Sequence, residues 1–213
     1  MDKPDFPQWT LRGFVEQLAE GSPLPGGGCA VALAGALAAA LGALSARIMA
    51  KRPPDGTAKR SLEDLVARIT LHQETFLEQI DADALAYHGV VEARQLPRRN
   101  PGETAHRERQ IAAAFLKACE PPEQMARQGL DLLGWALDLG RGRNPVVLAD
   151  IGVMGYLAGA VVQGALINIY ANLGMAGDFD DVAARWTAAR ELEARWREVR
   201  GEFEALMAEL CNR

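Results

Sequence analysis

Residues 58–95 read AKRSLEDLVARITLHQETFLEQIDADALAYHGVVEARQ, and the spacing of apolar side chains in this stretch decides the fold. Stepping by sevens gives Leu62, Ile69, Phe76, Asp83 and Val90, with a companion row of Val66, Gln73, Ile80, Tyr87 and Arg94. Positions three, four and seven apart share a helix face, so the two rows predict one long helix carrying an apolar stripe. Pro53-Pro54-Asp55-Gly56 before it and Leu96-Pro97 after it are the turn and stop signals. One member of the stripe is out of character. Asp83 places a carboxylate where desolvation is costly unless the group is paired or protonated. Two readings stand: a structural ion pair with an arginine of another helix, or a general acid–base group whose pKa is raised by its position. Tyr87, one turn on, can hydrogen-bond the carboxyl group. Asp81 projects to nearly the opposite side and is expected to stay in water.

No segment alternates as a strand would, so the chain reads as all-α, a single-domain bundle of about seven helices over residues 1–213. A short helix is expected over Leu11–Glu20 with Thr10 as its N-cap. After Pro25-Gly26-Gly27-Gly28 a small-residue helix runs to about Met49. Two helices follow the long one, each opened by proline, from Pro101 to about Cys119 and from Pro121-Pro122 to about Leu139. An uncharged helix begins near Asp150. Asp178 to Asp181 open a final amphipathic helix with packing positions Val182, Ala189, Trp196, Phe203 and Leu210. Glycines and alanines three and four apart (Gly35, Ala39, Gly42; Gly152, Gly155, Gly159) let the two uncharged helices approach closely.

Composition narrows the classes. At 213 residues, one core suffices. A net charge of −5 without a basic patch argues against a nucleic-acid binder. Cys29, Cys119 and Cys211 are odd in number and widely spaced, against a disulfide framework or zinc site, and the charged N-terminus is no signal peptide; a reducing cytoplasm is expected. Residues 151–177 carry no charge and as a helix span ~40 Å, enough to cross a bilayer. Their richness in Ala and Gly, with Gln163, Asn168 and Asn172, fits a helix buried in a bundle better than a membrane span.

Several groups can carry chemistry. The glycine turn ahead of a helix offers free N–H groups and the positive end of a dipole to a carboxylate, phosphate or carbonyl oxygen. It lacks the lysine and spacing of a nucleotide-binding loop. Cys29, just inside that helix, is either a thiol of lowered pKa or a small core residue. Asp150 is either a site acid or a helix-terminal acid facing the dipole. Asn168 and Asn172 either bind a ligand or hold helices in register. His72, His88 and His106 lack metal spacing, so no metal site is expected.

An ordered set of these features resembles the cyclodeaminase/cyclohydrolase family of folate enzymes over nearly the whole chain. It comprises Pro-Gly-Gly-Gly opening an Ala/Gly helix, Asp83-Ala84-Leu85-Ala86-Tyr87 and Leu96-Pro97-Arg98. Further on come Arg143-Asn144-Pro145, Ala149-Asp150-Ile151-Gly152-Val153 and Asn168-Ile169-Tyr170-Ala171-Asn172. The resemblance implies an all-helical homodimer acting on one-carbon units carried by tetrahydrofolate, without metal or added cofactor. It implies Asp83 and Asp150 as catalytic acids, and Pro25, Gly26, Gly27, Gly28, Tyr87, Arg98, Asn144 and Asn168 as substrate-binding residues. Where the family carries serine, serine and lysine, this chain has Cys29, Ala149 and Arg98. The implied activity is methenyltetrahydrofolate cyclohydrolase, favoured by the lack of an attached formiminotransferase domain. The alternatives are formiminotetrahydrofolate cyclodeaminase and a non-catalytic folate-binding or assembly protein of the same fold.

Overall fold

The computed structural model describes residues 5–177 and 182–211. Residues 178–181, read above as the opening of the last helix, and the side chain of Cys211 lie outside that description. Among the described residues there are seven α-helices, a short 3-10 turn at Phe6–Gln8 and no strand. The helices are α1 (Leu11–Ala19), α2 (Gly27–Ala50), α3 (Gly56–Gln95), α4 (Pro101–Lys117), α5 (Glu120–Arg141), α6 (Leu148–Ala176) and α7 (Val182–Cys211).

The boundaries follow capping chemistry. Thr10 Oγ1 accepts the Gly13 N–H at 3.0 Å and Asp55 Oδ1 the Ala58 N–H at 2.7 Å, each satisfying one orphan donor of a first turn. At α4 the exchange is reciprocal: Asn100 Oδ1 accepts from Glu103 N while the Glu103 carboxylate accepts from Arg99 N. Pro97 stops α3, because proline cannot continue the hydrogen-bond ladder.

Helices α2 and α6 form the centre and run antiparallel: the α-carbon of Gly42 meets the Met154 side chain, and that of Gly164 meets Val31. Both are long and apolar enough to cross a membrane by length and composition, and about half of each apolar window is buried inside the bundle. Helix α3 lies along α2, also antiparallel, and here two seven-residue rows mesh. Phe76 fills the notch at Gly35, Ile69 stands beside Gly42, and Asp83 fills the notch at Gly28. The carboxylate thus takes the place of the last apolar knob in a regular seam. On the other flank Phe203 of α7 packs its ring into the notch at Gly155.

A side chain added at Gly155 would overlap that ring, and Phe203 is 1 % exposed with nowhere to retreat. Gly155→Ala is therefore expected to lower stability by about 1–3 kcal/mol, the cost of overpacking a core. Denaturant unfolding read at equilibrium measures it.

Candidate functional site

Asp83 is delivered by the middle of α3 to the first turn of α2. A Cβ on Gly28 would fall inside the carboxylate group, so the backbone of α2 and the acid are in van der Waals contact. The acid accepts a hydrogen bond from the backbone N–H of Cys29. The Cys29 thiol lies between two acceptors, the Ile80 carbonyl at 3.3 Å and Asp83 Oδ2 at 3.6 Å. Burial raises the Asp83 pKa; the bonds from Cys29 pull the other way without cancelling it. Among the described residues no arginine pairs with Asp83, which favours the acid–base reading over the structural ion pair.

Burial, followed by the charge of Asp83, pushes the Cys29 thiol up to about 12. A helix N-terminus ordinarily lowers a thiol pKa. Here complete burial wins, and Cys29 is a neutral donor that props the acid. Cys119 is likewise buried and free. Tyr87 is half-buried one turn beyond Asp83. The hydrogen bonds to the carboxyl group come from Cys29 instead, so that expected pairing is corrected.

Of the turn residues, Pro25 and Gly28 are buried, Gly26 is the N-cap, and Gly27 is exposed with open space at its α-carbon. Asn168 is half-buried, with its amide nitrogen on the Gly164 carbonyl at 2.9 Å. Because Gly164 faces Val31 across antiparallel helices, Asn168, a turn further along α6, stands level with Gly27 and Gly28. Asp83, the glycine turn and Asn168 therefore share one end of the bundle.

Other predicted site residues do not join them. Asp150 is half-exposed in the first turn of α6 and stands level with residue 46 of α2, about 27 Å from Gly28 at ~1.5 Å of rise per residue. Asn144 lies at that same far end, its side chain accepting from Val146 N at 3.0 Å. Arg98 is exposed beyond the end of α3, and that end already lies about 18 Å along the helix from Asp83 by the same rise. The antiparallel packing of long helices causes the separation.

Two features were missed in the sequence. Asp81 is not left to water: the N-terminal segment folds back on α3, and the Phe6 N–H donates to Asp81 Oδ1 at 3.0 Å. Gln79, one turn before Asp83, is buried and donates to Gln128 of α5 at 2.8 Å, locking α3 in rotation. The only sequence signal for Gln79 is its place four residues from Asp83. Asn172 settles as a register residue, donating to the Ala118 carbonyl at 2.9 Å. His72 contacts Asp131 of α5 at 3.2 Å, a helix-contact role. Among the described residues no cluster of His, Cys, Asp and Glu is arranged to hold a metal ion.

The helical bundle that carries this acid has the fold of a solved structure. The structure of formiminotetrahydrofolate cyclodeaminase from Thermotoga maritima superposes with a TM-score of 0.84 over 96% of this chain and 98% of that one, at 22% identity, a likeness of fold. Residues 10–194 match the model of the formiminotransferase-cyclodeaminase family, and the chain belongs to that family. A Methylorubrum extorquens protein named methenyltetrahydrofolate cyclohydrolase is 28% identical over 184 residues, covering 86% of this chain and 87% of that protein. Mouse formimidoyltransferase-cyclodeaminase is 27% identical over 164 residues, 77% of this chain but 30% of that longer protein.

Proposed function

We propose that the protein is a folate one-carbon enzyme, and specifically a methenyltetrahydrofolate cyclohydrolase that adds water to 5,10-methenyltetrahydrofolate to give 10-formyltetrahydrofolate. The observation that carries the reading is the Asp83 carboxyl group, desolvated and held against the open first turn of α2. The relative named for this activity matches nearly end to end, which favours it over loss of ammonia. Cyclodeaminase remains the second reading, supported by the names of the vertebrate relatives and the solved structure.

The chemistry needs one acid–base group. The substrate carbon is cationic, so a nearby carboxylate stabilises it. Water attacks that carbon, a C–O bond forms, and Asp83 takes the released proton. Protonated Asp83 then donates to the folate N5 as the C–N5 bond breaks. The hydroxyl proton leaves as the formyl C=O forms, so one proton is released per turnover. A base of raised pKa accepts the first proton readily and can return it at neutral pH. The exposed Gly27 N–H and the Asn168 side chain flank this end and are assigned to substrate binding.

Loss of methenyltetrahydrofolate absorbance with and without protein tests hydrolysis; ammonia release from formiminotetrahydrofolate tests the alternative. Hydrolysis without ammonia release is expected. Folate binding with neither reaction would overturn catalysis and leave a binding protein. The acid limb of the pH–rate profile should lie above the ordinary carboxylate range, since activity falls as Asp83 becomes protonated. Cys29→Ser supplies a shorter, stronger O–H···O bond that favours the ionised acid. The limb is expected to shift to lower pH in that variant.

A further inference from the structure

A groove of about 440 Å³ runs between α3 and the junction of α4 with α5, its apolar wall formed by Ala82, Ala86, Gly89 and Ala114 among others. That volume suits a small molecule, and neither Asp83 nor the glycine turn lines it. Two polar groups make it more than a gap between helices. Gln79 forms part of the wall and is 3 % exposed. Its amide nitrogen is spent on Gln128, while its Oε1 is buried with no donor among the described residues. A buried acceptor without a donor is costly, since it has given up water and gained nothing. The groove is the side from which a donor can come. Lys117, the last residue of α4, stands exposed on the rim. Among the described residues no carboxylate pairs with it. The acid on the same rim, Glu120, is engaged instead by Arg185 of α7 at 3.9 Å.

An acceptor in the wall, an apolar surface beside it and an uncommitted cation at the mouth define one ligand chemistry. We propose that this groove is a second small-molecule site, which takes a carboxylate on a flat apolar body with an O–H or N–H donor at the opposite end. The donor goes to Gln79 Oε1, the body lies along Ala82, Ala86 and Gly89, and the carboxylate meets the Lys117 ammonium group. A charge-assisted bond at the mouth supplies affinity, and the buried acceptor rejects a ligand that brings no donor. The site stands apart from the cleft at Asp83 and does not rest on the functional reading above.

The probe is 4-hydroxybenzoate, whose hydroxyl, ring and carboxylate supply the three parts, titrated against the intact chain and followed by ligand NMR. Saturable binding is expected. Benzoate lacks the donor and 4-hydroxybenzyl alcohol lacks the charge, so each should bind about tenfold more weakly. Gly89→Leu fills the groove without a clash, because a Cβ there meets nothing within 4 Å, and leucine is the better helix former. That variant should lose the probe while unfolding no more easily than wild type. Lys117→Met should weaken 4-hydroxybenzoate by about tenfold and leave 4-hydroxybenzyl alcohol unchanged. Asp83→Asn should bind the probe as wild type does. Absence of saturable binding, or binding that survives Gly89→Leu, overturns the site. Equal affinity for benzoate, or no loss in Lys117→Met, overturns the assigned chemistry. Loss of the probe in Asp83→Asn would place it in the catalytic cleft and overturn a separate site. Turnover enters none of these measurements, so failure of the functional reading would leave this test intact.

Discussion

Asp83→Asn should lower turnover by ~10²–10⁴, the usual contribution of a positioned acid–base group, and at neutral pH it should make the protein more stable. The sign of the second effect follows from burial. The folded-state pKa of Asp83 is raised, so the folded protein holds this proton more tightly than the unfolded chain does. The desolvation penalty on the charged form is fully present above the folded pKa. It fades as pH falls through that value and is gone once the acid is protonated in both states. Asparagine removes the charge, keeps an oxygen to accept the Cys29 N–H, and changes volume little. The melting temperature of the variant is therefore expected to exceed that of wild type at pH 7, and the gap should close on acidification into the ordinary carboxylate range. A structural acid that stabilised the bundle would give the opposite sign at pH 7. Wild-type turnover in Asp83→Asn would remove Asp83 from the mechanism altogether.

The long helix was legible because its period is local: a row of sevens bounded by Pro-Pro-Asp-Gly and Leu-Pro needs no knowledge of a partner. Helix ends were legible for the same reason, since a cap reaches only three residues. What meets the row was not legible. The glycines of α2 read as generic close-packing positions, and only the pairing of α2 with α3 shows that Gly28, Gly35 and Gly42 receive Asp83, Phe76 and Ile69. The same limit explains the scattered site. Resemblance grouped Asp83, Arg98, Asn144 and Asp150, but antiparallel packing of long helices divides them between the two ends and an exposed loop. Asp81 was assigned to water because its partner, the Phe6 N–H, is 75 positions away.

Gly28→Ala should lose most of the activity, whereas Gly27→Ala should keep it. At Gly27 an added methyl group meets nothing within 4 Å, and Ala is the better helix former by about 0.8–1 kcal/mol, so that variant should be as stable as wild type or more so. At Gly28 the methyl group would occupy the space of the Asp83 carboxylate. The acid sits between the α2 backbone and its own helix, and the Gln79–Gln128 bond holds α3 against rotating away. The carboxyl group must therefore swing off the Cys29 N–H or the helices must part, at a cost of about 1–3 kcal/mol. Either way the base leaves the position from which it reaches the substrate carbon, and displacement by ~1 Å can cost about a hundredfold in rate. A combined Gly28→Ala, Asp83→Gly chain separates the two effects. It relieves the overlap, so stability should return toward wild type, but it supplies no acid, so activity should stay lost. Unfolding midpoints and turnover measured on these variants and wild type test that split directly. Full activity in Gly28→Ala would show that the contact between the acid and the helix turn does not set the catalytic geometry.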